Sequence, residues 1–249
     1  MLTRYFLSRL RHPLGLLDAV LARRAVASTR EELAARYLRG TGIEIGALHN
    51  PLSTPPGANV RYVDRMTVSD LRRHYPELNG LPLVEVDLID DGERLESIPD
   101  ESLDFVIANH FLEHCEDPLR ALASFSRVLR IGGRVYLAVP DKRKTFDVDR
   151  PVTSLDHLLR DHAEGPEVSR RSHFEEWARL VDRVDQAAVE SHAEELMAKN
   201  YSIHYHVWTQ AELLELLASL RRKLGLPFDV ETLVRNEHEH IAILEKGSE

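Results

Sequence analysis

The sequence predicts an α/β fold with a doubly wound, mostly parallel sheet and helices on both of its faces. Three observations support this prediction: short apolar strands recur along the chain, helical patterns lie between them, and polar residues follow the ends of the strands. Strands that alternate with helices are typical of parallel sheets, whose carboxyl ends meet at one edge. Ligands of such sheets bind outside that edge. The repeated polar strand ends therefore predict one shared ligand site.

The first predicted strand covers residues 42–45 and leads into a turn that contains Gly46. This turn lacks the dinucleotide fingerprint G-x-G-x-x-G, because a match started at Gly42 places Glu44 and Ala47 at its second and third glycines. A carboxylate before the turn repels phosphate and suits a ligand that carries an ammonium group and hydroxyls. The alternative is a buried strand followed by an ordinary turn.

Each later strand of the predicted sheet core ends in a polar residue. The second strand, 59–64, ends in Asp64, about twenty residues after the turn, where a ribose-binding acid belongs in a nucleoside-binding α/β unit. The third to fifth strands are predicted over 83–87, 103–110 and 132–141, and they end in Asp87, in Asn109 and His110, and in Asp141. Helices are predicted over 68–75, 118–129 and 210–224, and the last two strands over 228–235 and 240–244.

Three motifs make the prediction more specific. Glu44-Ile45-Gly46 ends the first strand, N-x-x-x-E-H-x-x-D-P spans residues 109–118, and R-V-L-x-x-G-G spans residues 127–133. With these motifs, residues 40–141 resemble class I S-adenosylmethionine-dependent methyltransferases. The resemblance implies a Rossmann-like, seven-stranded sheet whose last two strands form an antiparallel hairpin, and it implies S-adenosylmethionine as the cofactor.

The resemblance also implies which residues contact the methyl donor. Glu44 would hold its amino end, Asp64 its ribose and Asp87 its adenine side. Motif I departs from the family pattern E/D-x-G-x-G-x-G after Gly46, where Leu48 puts a side chain in place of close backbone approach, so the details of these contacts stay open. The other implied donor contacts are Gly46, Ala47, Asn50, Arg65, Leu88 and Asn109.

The chain divides into an N-terminal helical arm, 1–39, and a methyltransferase domain, 40–249, with a helical lid inserted over 142–205. The arm holds eight Arg among apolar residues at helical spacing, which suits binding to a membrane surface or to a partner protein. Alternatively, the arm packs on the domain or on a second subunit. A homodimer would form through the arm or the lid. The insertion is too long for a plain loop and follows a strand, so we expect it to cover the acceptor site. Its helices are predicted over 155–162, 173–184 and 186–199.

Methyl transfer to a hydroxyl needs positioning and a base that removes the proton, and histidine suits the second role because its pKa is near neutrality. Among thirteen histidines, His110 is the first candidate because it directly follows the fourth strand; the alternative is a histidine that caps the next helix. His114, four residues on, is expected to support the site. The remaining candidates around the acceptor are Asp141, His157 and His206.

Two further segments point to the acceptor. P-D-K-R-K-T-F-D spans residues 140–147, and H-V-W-T spans residues 206–209. They resemble small bacterial saccharide O-methyltransferases that accompany glycosyltransferases, including methylmannose-polysaccharide 1-O-methyltransferases. This resemblance implies a hydroxyl of a sugar, oligosaccharide or glycoside as the acceptor. Carboxylates and imidazoles hydrogen-bond such hydroxyls, and Tyr205 or Trp208 could stack on a sugar face, with packing in the lid as the alternative for Trp208.

A magnesium ion that orients two sugar hydroxyls and lowers the pKa of one is a further expectation. No zinc-type ligand spacing is evident. His238 and His240 share one face of a predicted strand and are expected to be exposed histidines of an edge strand. The candidate magnesium ligands are Asp141, Asp147, Asp149, His157 and His206.

Composition and charge exclude several other classes. The net charge of −9 argues against nucleic acid as the main partner. The sequence shows no signal peptide and no apolar run that could span a bilayer, and its single Cys115 excludes an internal disulfide, so a cytoplasmic enzyme is expected. Two rivals stay open: methylation of a lipid-like or polyketide-type molecule, which would need an apolar lid lining, and a catalytically silent module that senses the donor.

Overall fold

The architecture comes from a computed structural model, which describes residues 29–248. Residues 29–37 are helical and are labelled α1. The predicted arm over 1–39 lies outside the described residues apart from 29–39. Within the described range, no helix combines the length and the apolar character that crossing a bilayer requires.

One seven-stranded sheet organises the described residues. The strands are β1 (Gly40–Ile45), β2 (Ala58–Asp64), β3 (Leu88–Ile89), β4 (Leu103–Asn109), β5 (Leu129–Pro140), β6 (Phe228–Asn236) and β7 (Glu239–Lys246). Their order in the sheet is β3-β2-β1-β4-β5-β7-β6. The pairs from β3 to β5 are parallel, whereas β7 is antiparallel to both β5 and β6. The predicted doubly wound, mostly parallel sheet with a terminal hairpin is confirmed.

Helices follow the strands and cover both faces of the sheet. Alternate residues of β4 show this, because Val106 packs in one apolar cluster with Phe125, whereas Phe105 packs in a second cluster with Leu38. The two clusters place α1 on the opposite face from α3. The helices after α1 are α2 (Val68–His74), α3 (Pro118–Val128), α4 (Leu155–Glu164), α5 (Glu167–Leu180), α6 (Val189–Ala198) and α7 (Gln210–Leu224).

Close packing and helix capping explain two of the sequence motifs. At Gly42 in β1, an added Cβ would lie 2.2 Å from the Phe105 ring, so only glycine lets β1 and β4 pair at this point. The D-P of the N-x-x-x-E-H-x-x-D-P motif starts α3: the Asp117 side chain accepts the Arg120 N–H, and Pro118 occupies the first helical position.

The lid (residues 142–205) contains α4, α5 and α6 and has an apolar core of its own, which includes Phe174 and Trp177. Arg150, which is 2% exposed, connects several segments of the lid through hydrogen bonds. Its guanidinium donates to Asp147 Oδ1 at 3.0 Å, to Glu176 Oε1 at 2.8 Å, and to the carbonyls of His204 and Tyr205 at 2.8 and 3.2 Å. The lid is therefore a folded unit held from within by a buried cation.

Two predicted elements lie elsewhere in the structure. The third strand was placed over 83–87, but the segment pairs with the turn after β1, where the Val84 N–H donates to the Leu48 carbonyl (2.8 Å). Pairing in the sheet begins only at Leu88. The helix predicted over 173–184 is α5, which starts at Glu167, directly after Pro166. A pattern of apolar residues does not show which neighbouring segment it will contact. The misplaced strand and the misplaced helix start both follow from this.

Candidate active site

The turn after β1 is open on one side. Gly46 has a φ of +64°, and an added Cβ there would meet no atom within 4 Å. Leu48 also adopts a positive φ, +51°, which is strained for a side chain of its size. The turn therefore follows the path of a glycine-rich ligand loop at Gly46 and departs from it at Leu48.

Glu44, predicted to hold the donor's amino end, is buried at the end of β1. Its carboxylate accepts the Leu52 N–H at 2.9 and 3.1 Å, which fastens the far end of the turn. Burial raises the pKa of Glu44 to about 7, although this hydrogen bond and the charge of Arg30 oppose the shift. Glu44 thus shapes the turn, and a direct contact with a ligand stays a prediction.

A small cavity, with a free volume of about 10 Å³, lies beside the turn, and Asp64 contributes to its wall. The Asp64 carboxylate accepts one backbone N–H, from Met66 at 3.3 Å, and burial raises its pKa. Arg65 turns to the Tyr75 hydroxyl, and Asn50 is exposed at the end of the turn. The cavity is lined by Ala47, Leu48, Tyr62, Val63, Asp64, Leu71, Leu83, Val84 and Val86.

The acid at the carboxyl end of β3 is not the one expected. Asp87 precedes β3, and its carboxylate accepts the Tyr62 N–H at 2.8 Å. Leu88, also a predicted donor contact, is the first residue of the strand. Asp90 follows the strand, and its N–H donates to the Asp64 carbonyl at 3.0 Å, which brings the two acids to the same edge. Because the strand was misplaced, the sequence reasoning missed Asp90.

The carboxyl end of β4 holds buried polar groups without partners. Neither atom of the Asn109 amide has a hydrogen-bond partner, and neither oxygen of the Glu113 carboxylate has one of normal geometry. Glu113 is 1% exposed. Its backbone carbonyl accepts the Tyr205 N–H at 2.7 Å, so the end of the lid rests directly on this segment. Groups left unpaired in this way mark a place where a polar ligand would be bound.

His110, the first candidate for the base, sits between two carboxylates. Its Nε2 lies 2.7 Å from Glu239 Oε2, and its Nδ1 lies 3.4 Å from Glu113 Oε1. Glu239 is itself held by the Arg30 guanidinium through two bonds, of 2.8 and 2.5 Å, and by the Asn236 amide at 2.8 Å. His110 also has a positive φ, +50°, so this backbone is bent to aim the ring.

The two carboxylates decide the charge of His110. Burial favours the neutral ring, but the hydrogen bonds and charges of Glu113 and Glu239 outweigh it and raise the pKa of His110 to about 9. The same contacts, with Arg30, hold the pKa of Glu239 far below its usual value against the effect of burial. At neutral pH the ring is protonated and accepts no proton, so a role as base requires its prior deprotonation.

The other predicted catalytic residues lie in three separate places. His114 is half-buried near Glu113 and bonds the Ile203 carbonyl at 2.9 Å; desolvation and the neighbouring His204 lower its pKa to about 4. Asp141 is buried and accepts three bonds from the backbone and guanidinium of Arg143. His157 lies on α4, and the side chain of His206 faces Glu116, whereas the His206 backbone N–H donates to the Glu113 carbonyl at 3.3 Å. The structure therefore does not gather these residues around one atom.

His157 and His206 instead join His173, which the sequence reasoning did not single out. We call His157, His173 and His206 the three-histidine cluster. One side-chain nitrogen of each lies within 4.8 Å of the others. Burial, reinforced by the neighbouring imidazoles and by Arg150, lowers the pKa of His173 to about 4 and that of His206 well below its usual value. The cluster is therefore uncharged at neutral pH.

The expected magnesium ligands do not come together. Asp147 pairs with Arg150 and His204, and Asp149 with Arg183. Within residues 29–248, none of the groups of three or more potential metal ligands includes Asp141, Asp147 or Asp149.

Two other expectations about side chains are wrong. Trp208 is 1% exposed and belongs to the apolar core of the sheet, so its face is not available for stacking on a sugar. His240 is fully buried in β7, 3.3 Å from Asp141 Oδ2, because β7 lies inside the sheet.

Three residues at the site were missed as functional candidates. Glu113 stands in the E-H of the quoted motif, so a signal existed. Arg30 and Glu239 lie in regions without a motif, 80 or more positions away from His110 in the chain, and only the folded structure brings them to it.

Comparison with known families gives one match. Residues 39–137, about two fifths of the chain, match the model of the methyltransferase domain family. The match covers β1 to β5 and includes the turn, Asp64, Asn109, His110 and Glu113. The lid and the terminal hairpin lie outside it.

Two curated proteins are similar over part of the chain. An uncharacterized 37.1 kDa protein in transposon TN4556 of Streptomyces fradiae is 36% identical over 106 residues, which are 41% of this chain and 28% of that protein. The S-adenosyl-L-methionine-dependent Diels-Alderase iccD of Talaromyces variabilis is 32% identical over 103 residues, 41% of this chain and 35% of that protein. The chain spans about a third of the length of these relatives.

Among solved structures, the PH0226 protein from Pyrococcus horikoshii OT3 has a TM-score of 0.50 at 17% identity, over 90% of this chain and 91% of that chain. At such low identity the likeness concerns the fold alone. It extends over the lid and the hairpin as well as the matched domain.

Proposed function

We propose that this protein, whose residues 39–137 match the methyltransferase domain family, transfers a methyl group from S-adenosylmethionine to a hydroxyl of a sugar, oligosaccharide or glycoside. The observation that carries the proposal is a pair of buried polar groups at the carboxyl end of β4 that lack hydrogen bonds of normal geometry: the Asn109 amide and the Glu113 carboxylate, whose Oε1 lies 3.4 Å from His110 Nδ1. Burying such groups costs free energy unless a ligand bonds them. A polyhydroxylated acceptor supplies the donors and acceptors they lack.

The residues at the sheet edge fit the methyl donor by charge and by shape. When bound, S-adenosylmethionine supplies an electrophilic methyl group on a sulfonium sulfur. Open space beside Gly46 admits a ligand, and the Asp64 carboxylate, which accepts a single backbone N–H, retains capacity for ribose hydroxyls. Asp87 remains our proposed acid on the adenine side. The other proposed contacts are Glu44, Gly46, Ala47, Asn50, Arg65, Leu88 and Asn109.

We assign to His110 the role of the base that removes the proton of the acceptor hydroxyl. Glu239 accepts the Nε2–H, and Arg30 fixes Glu239, which leaves Nδ1 to face the acceptor beside Glu113. As the acceptor oxygen bonds to the methyl carbon and the carbon–sulfur bond breaks, Nδ1 takes the hydroxyl proton. Glu113 orients the hydroxyl, and Asn109 positions the reacting groups. His114 and Asp141 support this arrangement through the lid end and β5.

The raised pKa of His110 makes this assignment testable by pH. Because the free ring is protonated below about pH 9, kcat/KM should rise about tenfold per pH unit from pH 6.5 and level off near pH 9. A His110→Gln variant should lose this dependence together with most of its turnover. His192→Gln, a lid histidine paired with Asp182, is the matched control. A profile that levels off near pH 6.5 would reject His110 as the base.

The polar interior between lid and sheet favours a sugar over a lipid-like acceptor. At the carboxyl end of β4, the buried side-chain atoms without partners include both atoms of the Asn109 amide and both oxygens of Glu113. A pocket for a lipid or polyketide would be lined by apolar side chains instead. We therefore retain the sugar hydroxyl as the acceptor.

A donor-binding module without turnover is the second candidate, and one observation favours it. The segment 83–86 lies against the turn after β1, and the free volume of the cavity there, about 10 Å³, is far below the usual range for a bound cofactor, roughly 300–1,000 Å³. On this view the donor binds after the segment moves and no methyl group is transferred. Turnover distinguishes the two candidates.

The first test is calorimetric titration with S-adenosylhomocysteine. We expect saturable binding to the wild type and at least a tenfold weaker affinity in Asp64→Ala, because the ribose loses its carboxylate. Asp149→Ala, which removes an exposed lid carboxylate, should bind as the wild type does. Absence of binding to the wild type would reject both candidates.

The second test is transfer of radiolabelled methyl groups to mono- and oligosaccharides by the same preparation. Label in a saccharide supports the proposed acceptor. Label only in a lipid fraction would replace it, and donor binding without any transfer would favour the silent module.

A further inference from the structure

We propose that the three-histidine cluster (His157, His173 and His206) binds a divalent transition-metal ion, with zinc as the first candidate, where the lid meets the sheet. The proposal is independent of methyl transfer, because the proposed function assigns these three histidines no role in donor binding or in catalysis. Such a metal prefers imidazole ligands, whereas magnesium prefers oxygen ligands.

The spacing of the rings fits a shared ion. The Nε2 atoms of His157 and His173 face each other at 3.1 Å, and the ring centroids of the three histidines are 5.0–5.7 Å apart. Two nitrogens bound tetrahedrally to zinc at about 2.0–2.1 Å lie about 3.4 Å apart. The pair therefore needs a displacement of only a few tenths of an ångström to bind one ion.

His206 presents a buried nitrogen with no other partner. The ring is fully buried, its Nε2 donates to the Glu116 carbonyl at 3.3 Å, and its Nδ1 has no hydrogen-bond partner. Metal-binding histidines usually donate their second ring N–H to a carbonyl or carboxylate, which fixes the tautomer. The Glu116 carbonyl sets that tautomer here and leaves Nδ1 as the free ligand.

Asp161 offers a fourth ligand, and the Arg160 guanidinium, 3.2 Å from its Oδ1, already balances part of its charge. Its side chain is 2% exposed, and Oδ2 lies 3.1 Å from His157 Nε2 and 3.9 Å from His173 Nε2 without a hydrogen bond of its own. Its other oxygen accepts the Ser169 hydroxyl at 2.7 Å, which orients the carboxylate. Three imidazoles and one carboxylate form a ligand set that zinc accepts.

Protein partners already account for the other two groups of potential ligands in the described residues. In one, His110 bonds Glu239, which Arg30 neutralises. In the other, His114 bonds the Ile203 carbonyl, and His204 bonds Asp147 at 2.8 Å. In the three-histidine cluster, Arg160 donates to His157 Nδ1 at 3.0 Å, but the Nε2 atoms of His157 and His173 face each other and His206 Nδ1 has no partner.

The ligands come from separate segments, which gives the ion a role in the fold. His157 and Asp161 lie on α4, His173 on α5, and His206 follows the lid and contacts the carbonyl of Glu116. An ion that binds all four would fix the two helices to each other and to the segment that rests on β4. We infer that it holds the lid in its closed position.

Metal content measured on the full chain tests the proposal. Protein without a histidine tag is loaded with Zn²⁺, dialysed against metal-free buffer and assayed by mass spectrometry of the metal. We expect about one equivalent in the wild type and in His192→Gln, and its loss in His157→Gln and His173→Ala. His157 is partly exposed, so its variant should keep the fold, which circular dichroism checks.

Loading with Co²⁺ gives a second readout that is independent of folding stability and activity. Tetrahedral Co²⁺ bound to imidazole absorbs visible light, and that absorption should appear in the wild type and disappear in His157→Gln. A chelator should lower the melting temperature of the wild type and leave that of His157→Gln unchanged. A dialysed wild type without zinc, or equal metal content in the folded His157→Gln variant, would overturn the proposal.

Discussion

His110 and the three-histidine cluster lie in the same region, where the lid meets the sheet. At neutral pH, however, His110 is protonated and the cluster is neutral. His110 faces two buried carboxylates, and its pKa is raised to about 9. His173 faces other imidazoles and the Arg150 guanidinium, and its pKa is lowered to about 4. Burial alone favours the neutral ring in both places. The comparison teaches that the charge of a buried histidine depends on the neighbours that the fold places beside it.

The two places therefore contribute to stability in opposite pH ranges. Because the folded-state pKa of His110 exceeds its usual 6.5, its stabilisation is complete below pH 6.5 and is lost as the pH rises to about 9. Because the folded-state pKa of His173 lies below 6.5, its neutral form is stabilised above pH 6.5, and stability is lost as the pH falls to about 4.

Replacing Arg150 should have the largest effect, because it removes the cation beside the three-histidine cluster and the centre of the lid. The change Arg150→Met leaves the buried Asp147 carboxylate without its ion pair and two buried carbonyls without donors. We expect a loss of about 3–5 kcal/mol in the free energy of unfolding, measured by urea denaturation.

The matched control is Arg183→Met, which breaks an exposed pair with Asp149 and should change stability by less than about 1 kcal/mol. Equal effects of the two changes would contradict the central role of Arg150 in the lid.

Glu239→Gln should make His110 resemble the three-histidine cluster. The change keeps the shape of the side chain and removes a negative charge 2.7 Å from Nε2. The pKa of His110, followed by NMR titration, should fall by at least about one unit. Between pH 6.5 and 9, the variant should lose about 1–3 kcal/mol less free energy of unfolding than the wild type loses.

Glu237→Gln, two positions away in the turn before β7, serves as the control and should leave the His110 titration unchanged. A His110 pKa that stays near 9 in Glu239→Gln would show that Glu113 alone sets it.

His173→Gln should act in the acidic range. In the presence of a chelator, the variant should lose less stability than the wild type between pH 6.5 and 4, by about 1–2 kcal/mol, because glutamine does not bind a proton. Parallel stability curves for variant and wild type across this range, from denaturation at several pH values, would mean that His173 keeps an ordinary pKa in the folded protein.

His162→Gln should have the smallest effect. His162 also bonds a carboxylate, that of Asp117 at 2.9 Å, but its side chain is 36% exposed. We expect a change below about 1 kcal/mol in the free energy of unfolding at pH 7. A loss as large as that of Glu239→Gln would mean that pairing matters more than burial, and the comparison would have to be revised.

Much of the fold was predictable because it depends on local patterns. Apolar runs such as 103–109 need burial on both faces, which only a central parallel strand provides, and the D-P at Asp117 and Pro118 marks a helix start by itself. The third strand was misplaced because residues 83–86 satisfy their backbone against the turn after β1 rather than in the sheet. That choice depends on a partner distant in sequence.

The candidate site was predictable only in part, for the same reason. Asp64, Asn109 and His110 were found because they follow strands or stand in motifs. Glu239 and Arg30 were not, because nothing in their local sequence indicates that both reach His110. His173 was missed because nothing in its local sequence indicates that it meets His157 and His206.

The sequence by itself determined the alternation of strands and helices, the polar strand ends at one edge, and the methyltransferase motifs, because each arises from neighbours along the chain. The tertiary structure alone decided which histidines are charged, which acid follows β3, and which three imidazoles meet in the lid. Those properties depend on desolvation and on charges brought together from positions as far apart as Arg30 and Glu239, and the free energy of a buried charge is set by such distant contacts.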